Sequence, residues 1–233
     1  MHFWVGSFCG INDNYSRSAY PTGVIAVSDI ITIIEDLGNQ IPDKSWMLYL
    51  LEIFNSQNIA SELNLICQFD NQDYFEAIFD GVNRYRFKQV LPIISHSYLR
   101  QIIMNSQKNS IEYIIEDQIT KQTERFDMSP GMRFRFKAQN HFTGVEWWNR
   151  SGNIPYPIRY HVEISQLMYG LSDNPSDPES IVYGRYNALV PNSEGHAMQY
   201  PISFQNTRIK DGYMCYNINL GSCKPGISYL SKE

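Results

Sequence analysis

The chain has 233 residues, 43% hydrophobic and 18% charged, with a formal net charge of −5. That length and apolar content can bury a sizeable core without disulfides or metals, and they exclude a disordered chain. The acidic balance argues against a nucleic-acid partner, whose binders carry a basic stripe; the short run Arg133, Arg135, Lys137 reads as a solvated face opposite Met132, Phe134 and Phe136.

Phe3 to Ser7 and Gly23 to Ser28 look like short edge strands around the polar loop NDNYSRSAYPTG. Asp29 to Leu37 fits strand or helix, and its β-branched content favours strand. Ser45 to Asn55 is almost wholly apolar, as a strand buried on both faces would be, although a short core helix has the same look. Glu62 to Asp70 alternates: Leu63, Leu65, Cys67 and Phe69 form an apolar face, while Asn64, Ile66 and Gln68 point the other way. Asp73 to Asp80, Arg86 to Ile94 and Tyr98 to Met104 supply further strands, with Pro92 marking a bend or an edge. The clearest local signal is IEYIIEDQITKQTERFD, a hairpin of Glu112 to Asp117 and Gln122 to Asp127 around a polar turn.

Met132 to Ala138 follows, then Phe142 to Asn149 and Pro157 to Met168, joined by a short loop with Arg150, Gly152 and Pro155. Alternation puts Phe142, Gly144, Glu146 and Trp148 on one face. Glu146 is thus a single carboxylate among aromatic neighbours. On a concave, partly dry face its pKa would rise, as general acid/base chemistry requires. A carboxylate near a strand end that reaches water or pairs with Arg150 fits the same spacing. Leu171 to Glu179 is a polar loop, and Ile181 to Tyr186, Met198 to Phe204 and Tyr213 to Leu220 close the chain. Short strands with regular turn punctuation and no long amphipathic stretch predict an all-β antiparallel sandwich or barrel, expected as a single domain over residues 1–233.

Several chemistries have no signature. There is no GxSxG, GxxxxGK[ST], GxGxxG or HExxH motif, and the histidines are scattered. Neither a cofactor nor a metal site is expected; the acidic loop Asp173, Asp177, Glu179 lacks the glycine and spacing of a calcium loop. Cys9, Cys67, Cys215 and Cys223 form no CxxC pair, so reduced thiols are the expectation, with a Cys215–Cys223 bridge as the alternative. No run reaches the ~18 apolar residues of a membrane span. The N-terminus MHFWVGSFCG has no basic region before a long apolar stretch, so the expectation is a cytoplasmic protein, or a processed form of a secreted one.

In chain order, several pieces resemble the eqolisin family, the glutamic peptidases. Trp46 to Phe54 followed by Leu65-Ile66-Cys67-Gln68-Phe69-Asp70 is similar to the strand pair whose second member carries the family's catalytic glutamine. The hairpin above, the strand around Val145-Glu146-Trp147, and Ile154-Pro155-Tyr156 before a returning strand resemble later pieces in the same order. The resemblance covers about residues 45 to 205. It implies a concanavalin A-like sandwich (jelly roll) of two curved sheets with a groove on the concave face, and Glu146 and Gln68 as the catalytic pair; Gln89 is a second candidate for the glutamine. Trp148, Tyr49 and Tyr160 are the expected groove walls, although aromatic stripes also build cores. The expected partner is a polypeptide or small-molecule substrate. Open beside a peptidase are a peptide- or carbohydrate-binding module and a groove enzyme acting on a small apolar metabolite. A glycosidase would need a second carboxylate flanking the bond, for which Glu52 is the candidate.

Overall fold

The computed structural model describes residues 2–10, 24–36, 38, 41, 44–55, 59–68, 72–106, 108–130, 138–148, 159–171, 181–185, 190–192, 203–210 and 213–219. Among them there is no helix, and the strands are β1 (His2–Gly10), β2 (Val24–Asp36), β3 (Trp46–Asn55), β4 (Ala60–Gln68), β5 (Tyr74–Phe79), β6 (Asn83–Arg86), β7 (Ser97–Asn105), β8 (Ser110–Asp117), β9 (Thr123–Met128), β10 (Ala138–Trp148), β11 (Tyr160–Leu171), β12 (Val182–Arg185), β13 (Val190–Asn192), β14 (Ser203–Lys210) and β15 (Tyr213–Asn219). A seven-stranded sheet runs β13-β1-β10-β3-β4-β5-β6 and a six-stranded sheet runs β12-β11-β2-β7-β8-β9, with β14 and β15 forming a separate ribbon. Neighbouring strands are antiparallel throughout. The result is an all-β sandwich.

The core forms where alternate residues of the two sheets meet. Met47, Tyr49, Leu51 and Ile53 of β3, with Leu63, Leu65 and Cys67 of β4, pack against Val27, Ile31 and Ile33 of β2 and Tyr98, Ile102 and Met104 of β7. This is the parity expected for the Glu62 to Asp70 stretch, with Gln68 on the opposite face from Cys67. The hairpin of β8 and β9 also stands as expected, pairing Ile111 with Met128 and Glu116 with Thr123.

Other expectations need correction. Gly23 to Ser28 is not an edge strand. It is the first half of β2, which continues to Asp36 between β11 and β7. The polar Ser28-Asp29 pair makes the sequence look broken there, but Asp29 lies opposite Arg100 of β7 and the strand runs through. Arg86 to Ile94 is not a strand beyond Arg86. There, side chains replace ladder partners: Glu124 accepts the backbone N–H groups of Lys88 (3.0 Å) and Gln89 (2.8 Å), and the Tyr98 hydroxyl accepts from Ile93 N–H (2.7 Å) while donating to the Leu91 carbonyl (2.9 Å). Phe142 to Met168 is not one local pair either, because β10 belongs to the seven-stranded sheet and β11 to the six-stranded one. The strand at Met132 to Ala138, up to its last residue, the loop Leu171 to Glu179 beyond Leu171, and Cys223 lie outside the described residues.

One ion pair is buried in the core, between neighbouring strands of the six-stranded sheet. Arg100 and Asp29 are both fully buried, and the guanidinium grips the carboxylate through Nε (2.8 Å) and Nη2 (2.6 Å). The same guanidinium reaches the other sheet, donating to the carbonyls of Tyr49 (2.6 Å), Leu63 (3.1 Å) and Leu50 (3.3 Å). Those carbonyls sit where the β3–β4 ladder passes from Tyr49–Leu65 to Glu52–Glu62 without the intervening pairs, at unchanged register. Arg100 therefore supplies donors where the ladder lapses, as buried backbone acceptors require.

Candidate functional site

The face of the seven-stranded sheet turned away from the core carries the other half of each alternation. Leu48 and Leu50 of β3, Ile66 of β4 and Tyr74 of β5 form a buried cluster, with Trp46 and Phe54 packed against it. Their exposure of 2–8% makes this face dry although it lies outside the sandwich core. Glu146 of β10 stands opposite Leu48, and Gln68 of β4 stands opposite Trp46, so both predicted site residues belong to this sheet and this face. One strand lies between them. Two strand spacings of about 4.8 Å across and two residue rises of about 3.4 Å along put their Cα atoms roughly 12 Å apart.

Gln68 is half-buried, and its Nε2 donates to the Tyr74 hydroxyl at 3.3 Å. The phenol is held up above its usual range by burial and then by Glu76. Tyr74 is in turn capped by the Arg86 guanidinium, 3.9 Å above its ring. Glu146 is also half-buried.

Further along the face, Glu52 and Glu62 stand directly opposite each other on β3 and β4. Burial pushes Glu52 well above the usual carboxylate range, and the charges of Glu62 and Glu146 push it further. Burial also lifts Glu62, to about 7; Glu146 and Glu76 add to the rise, while a hydrogen bond from Asn64 (Nδ2 to Oε2, 2.7 Å) and the charge of Arg84 oppose it. Glu76, raised by burial against the pull of Arg84, is paired with that arginine at 3.1 Å. Glu52, named from sequence as a possible second carboxylate, is thus on the same face as Glu146. Glu62, Asn64 and Tyr74 were missed. The signal was there for Glu62 and Asn64, which share the parity of Gln68 along β4.

Two of the expected groove walls are elsewhere. Tyr49 and Tyr160 lie in the core between the sheets, with 0% and 6% exposure. The Tyr49 hydroxyl donates to the Tyr160 carbonyl (2.6 Å) and accepts its N–H (3.0 Å), and the Tyr160 hydroxyl donates to Asp73 (2.5 Å), which also holds Arg159 (3.0 Å). These phenols tie the sheets together and do not line the face of Glu146. Trp148 pairs with Trp46 in register, two residues beyond Glu146. Gln89 is exposed in the irregular segment after β6. Among the described residues no group of His, Cys, Asp or Glu side chains is placed to hold a metal ion, Cys67 is a buried free thiol, and no helix is long and apolar enough to cross a membrane.

With this geometry in view, comparison with known proteins finds likeness in structure only. No family model matches the chain, and no curated protein sequence matches it. A crystal structure of scytalido-glutamic peptidase with a transition state analog inhibitor superposes with a TM-score of 0.52 at 11% identity, covering 88% of this chain and 94% of that one. A second, with a peptide-based transition state analog, gives 0.50 at 8% identity, covering 80% and 88%. The shared property is the fold. At such identity the likeness assigns no residue a role.

Proposed function

We propose that this chain is a hydrolase of the glutamic-peptidase type, cleaving peptide bonds with Glu146 and Gln68. The observation that carries the reading is that these two residues, singled out in the sequence, share one shielded face of one sheet with a single strand between them. In this mechanism the Glu146 carboxylate takes a proton from a water as that water attacks the scissile carbonyl. The Gln68 amide donates to the oxygen that becomes negative, and a dipole fixed in advance on a dry face stabilises that charge more than solvent would. Its bond to Tyr74 holds the amide plane. Glu146 then returns the proton to the departing amine, so the carboxylate is regenerated. The scytalido-glutamic peptidase structures hold peptide-based and transition state analogs, which supports a peptide as the ligand of a face built this way.

The test is incubation of the purified protein with a denatured protein substrate from pH 2 to 7, beside Glu146→Gln and Gln68→Ala. Cleavage lost in both variants is the expected result. A folded wild-type protein that cleaves at no pH overturns the peptidase reading and leaves this face as a binding surface.

A further inference from the structure

The carboxyl groups of Glu52 and Glu62 are not used by that mechanism. They are directly opposite each other in an antiparallel ladder, where like charges repel and side chains on one face stand about 4.5–5.5 Å apart at Cβ. The groups facing them come from every neighbouring strand: Glu146 on β10, Asn64 on β4 itself, Glu76 on β5, and Arg84 on β6, whose guanidinium is already engaged by Glu76. Asn64 brings a second and independent observation. It is fully buried and anchored to Glu62 through Nδ2, yet its Oδ1 has no hydrogen-bond partner. The pair thus presents carboxyl oxygens beside an orphaned amide oxygen, a set of acceptors short of a donor. A proton on the carboxyl pair removes one of the like charges and supplies an O–H donor where acceptors are in excess. A metal ion is not indicated, since no described group of acidic side chains converges on a single point.

We propose that Glu52 and Glu62 form a proton-holding carboxyl dyad on the face that carries Glu146, a positioning pair with one negative charge between its two carboxyls rather than two. Loss of the dyad proton leaves two opposed carboxylates on the face that carries Glu146. The proton goes to solvent, and the face gains one negative charge. Where Glu146 acts as the base of the hydrolysis proposed above, this gives the reaction an upper pH limit set by the dyad; that half of the inference rests on the peptidase reading, and the dyad itself does not.

The experiment titrates the whole protein, with ¹³C label in the glutamate side-chain carboxyls, from pH 3 to 9, as wild type and as Glu52→Gln, Glu62→Gln and Glu146→Gln. The expected wild-type result is a carboxyl step near neutral pH that is absent in Glu62→Gln and moves to lower pH in Glu146→Gln. Glu52→Gln, which removes one of the two opposed charges, moves the Glu62 step down as well. Ordinary titration of both residues between pH 4 and 5 overturns the dyad. For the catalytic half, the pH profile of cleavage is read on the same variants. Glu62→Gln is expected to extend the alkaline limb by about one pH unit or more; an unchanged limb in an active variant overturns the positioning role. A neutral step without cleavage in any variant upholds the dyad and sinks the peptidase, so the two failures are distinguishable.

Discussion

Replacing Arg100 by methionine is the most incisive perturbation of the fold. Arg100 and Asp29 have 0% side-chain exposure, so the substitution strands a carboxylate with neither water nor counter-charge. Breaking one partner of a buried pair costs about 3–5 kcal/mol. The carbonyls of Tyr49, Leu50 and Leu63 lose the same donor, and each lost hydrogen bond adds about 0.5–1.5 kcal/mol net. Even at the low ends the total, about 4–5 kcal/mol, approaches the whole stability of many domains, about 5–15 kcal/mol. Asp29 is not a comfortable charge even in the intact pair: burial raises its carboxyl above the usual range, and Arg100 only partly offsets that. A group raised in the folded state contributes stability below its unfolded pKa, and that contribution declines as pH climbs through the folded value. The double variant Arg100→Met with Asp29→Leu removes both desolvated charges and leaves the carbonyl deficit alone. It should therefore be more stable than the single variant Arg100→Met by roughly 2 kcal/mol or more. Urea unfolding monitored by tryptophan fluorescence measures this, with the m-value checked for constancy. A single variant as stable as the double would refute the assignment of Arg100 as the cross-sheet tie.

Two further outcomes follow from the same geometry. Tyr49→Phe keeps the ring in the core but removes the hydroxyl that both accepts from Tyr160 N–H and donates to Tyr160 C=O, so unfolding free energy should fall by about 1–3 kcal/mol in urea titration. Cleavage, if measured in that variant, should persist, because the hydroxyl lies on the core side of the sheet. At the β8–β9 turn, burial works against the Asp117 charge, but hydrogen bonds from His96 (2.7 Å) and from the amides of Ile119 and Thr120 outweigh it and hold the carboxyl below its usual range. A depressed carboxyl contributes stability above its unfolded pKa, lost as pH falls through the folded value. Asp117→Asn should thus lower stability at pH 6 by about 1–2 kcal/mol and have less effect at pH 3, read as thermal midpoints at both pH values.

Much of the sandwich was legible because burial on one face writes itself into the chain as alternation. Leu63, Leu65 and Cys67 announce the core face of β4, and the polar turn after Asp117 announces the β8–β9 hairpin. What alternation cannot state is which sheet a strand joins. Nothing local to Phe142–Met168 separates a hairpin from two strands in opposite sheets, since both need a polar loop and two apolar runs. Parity also cannot say which side of β3 faces the core, because both sides are apolar; Tyr49, a groove wall in the family resemblance, lies between the sheets. Asp29 misled in the other direction. A charge in mid-strand reads as a break until its partner, 71 positions later, is brought opposite it.

Two polar clusters among the described residues meet at one place. Arg100 approaches the β3–β4 ladder from the core and bonds carbonyls at Tyr49, Leu50 and Leu63; Glu52, Glu62 and Asn64 stand on the other face of the same stretch. Arg100 is not among the charges that shift Glu52 or Glu62, so the link is not a direct electrostatic one. It is geometric. The stretch of the β3–β4 ladder at which Arg100 bonds carbonyls from the core side ends at the Glu52–Glu62 pair. The interior ion pair, costly as a source of stability, thus carries the donors for the core side of the same strand stretch whose outer side holds the facing acids.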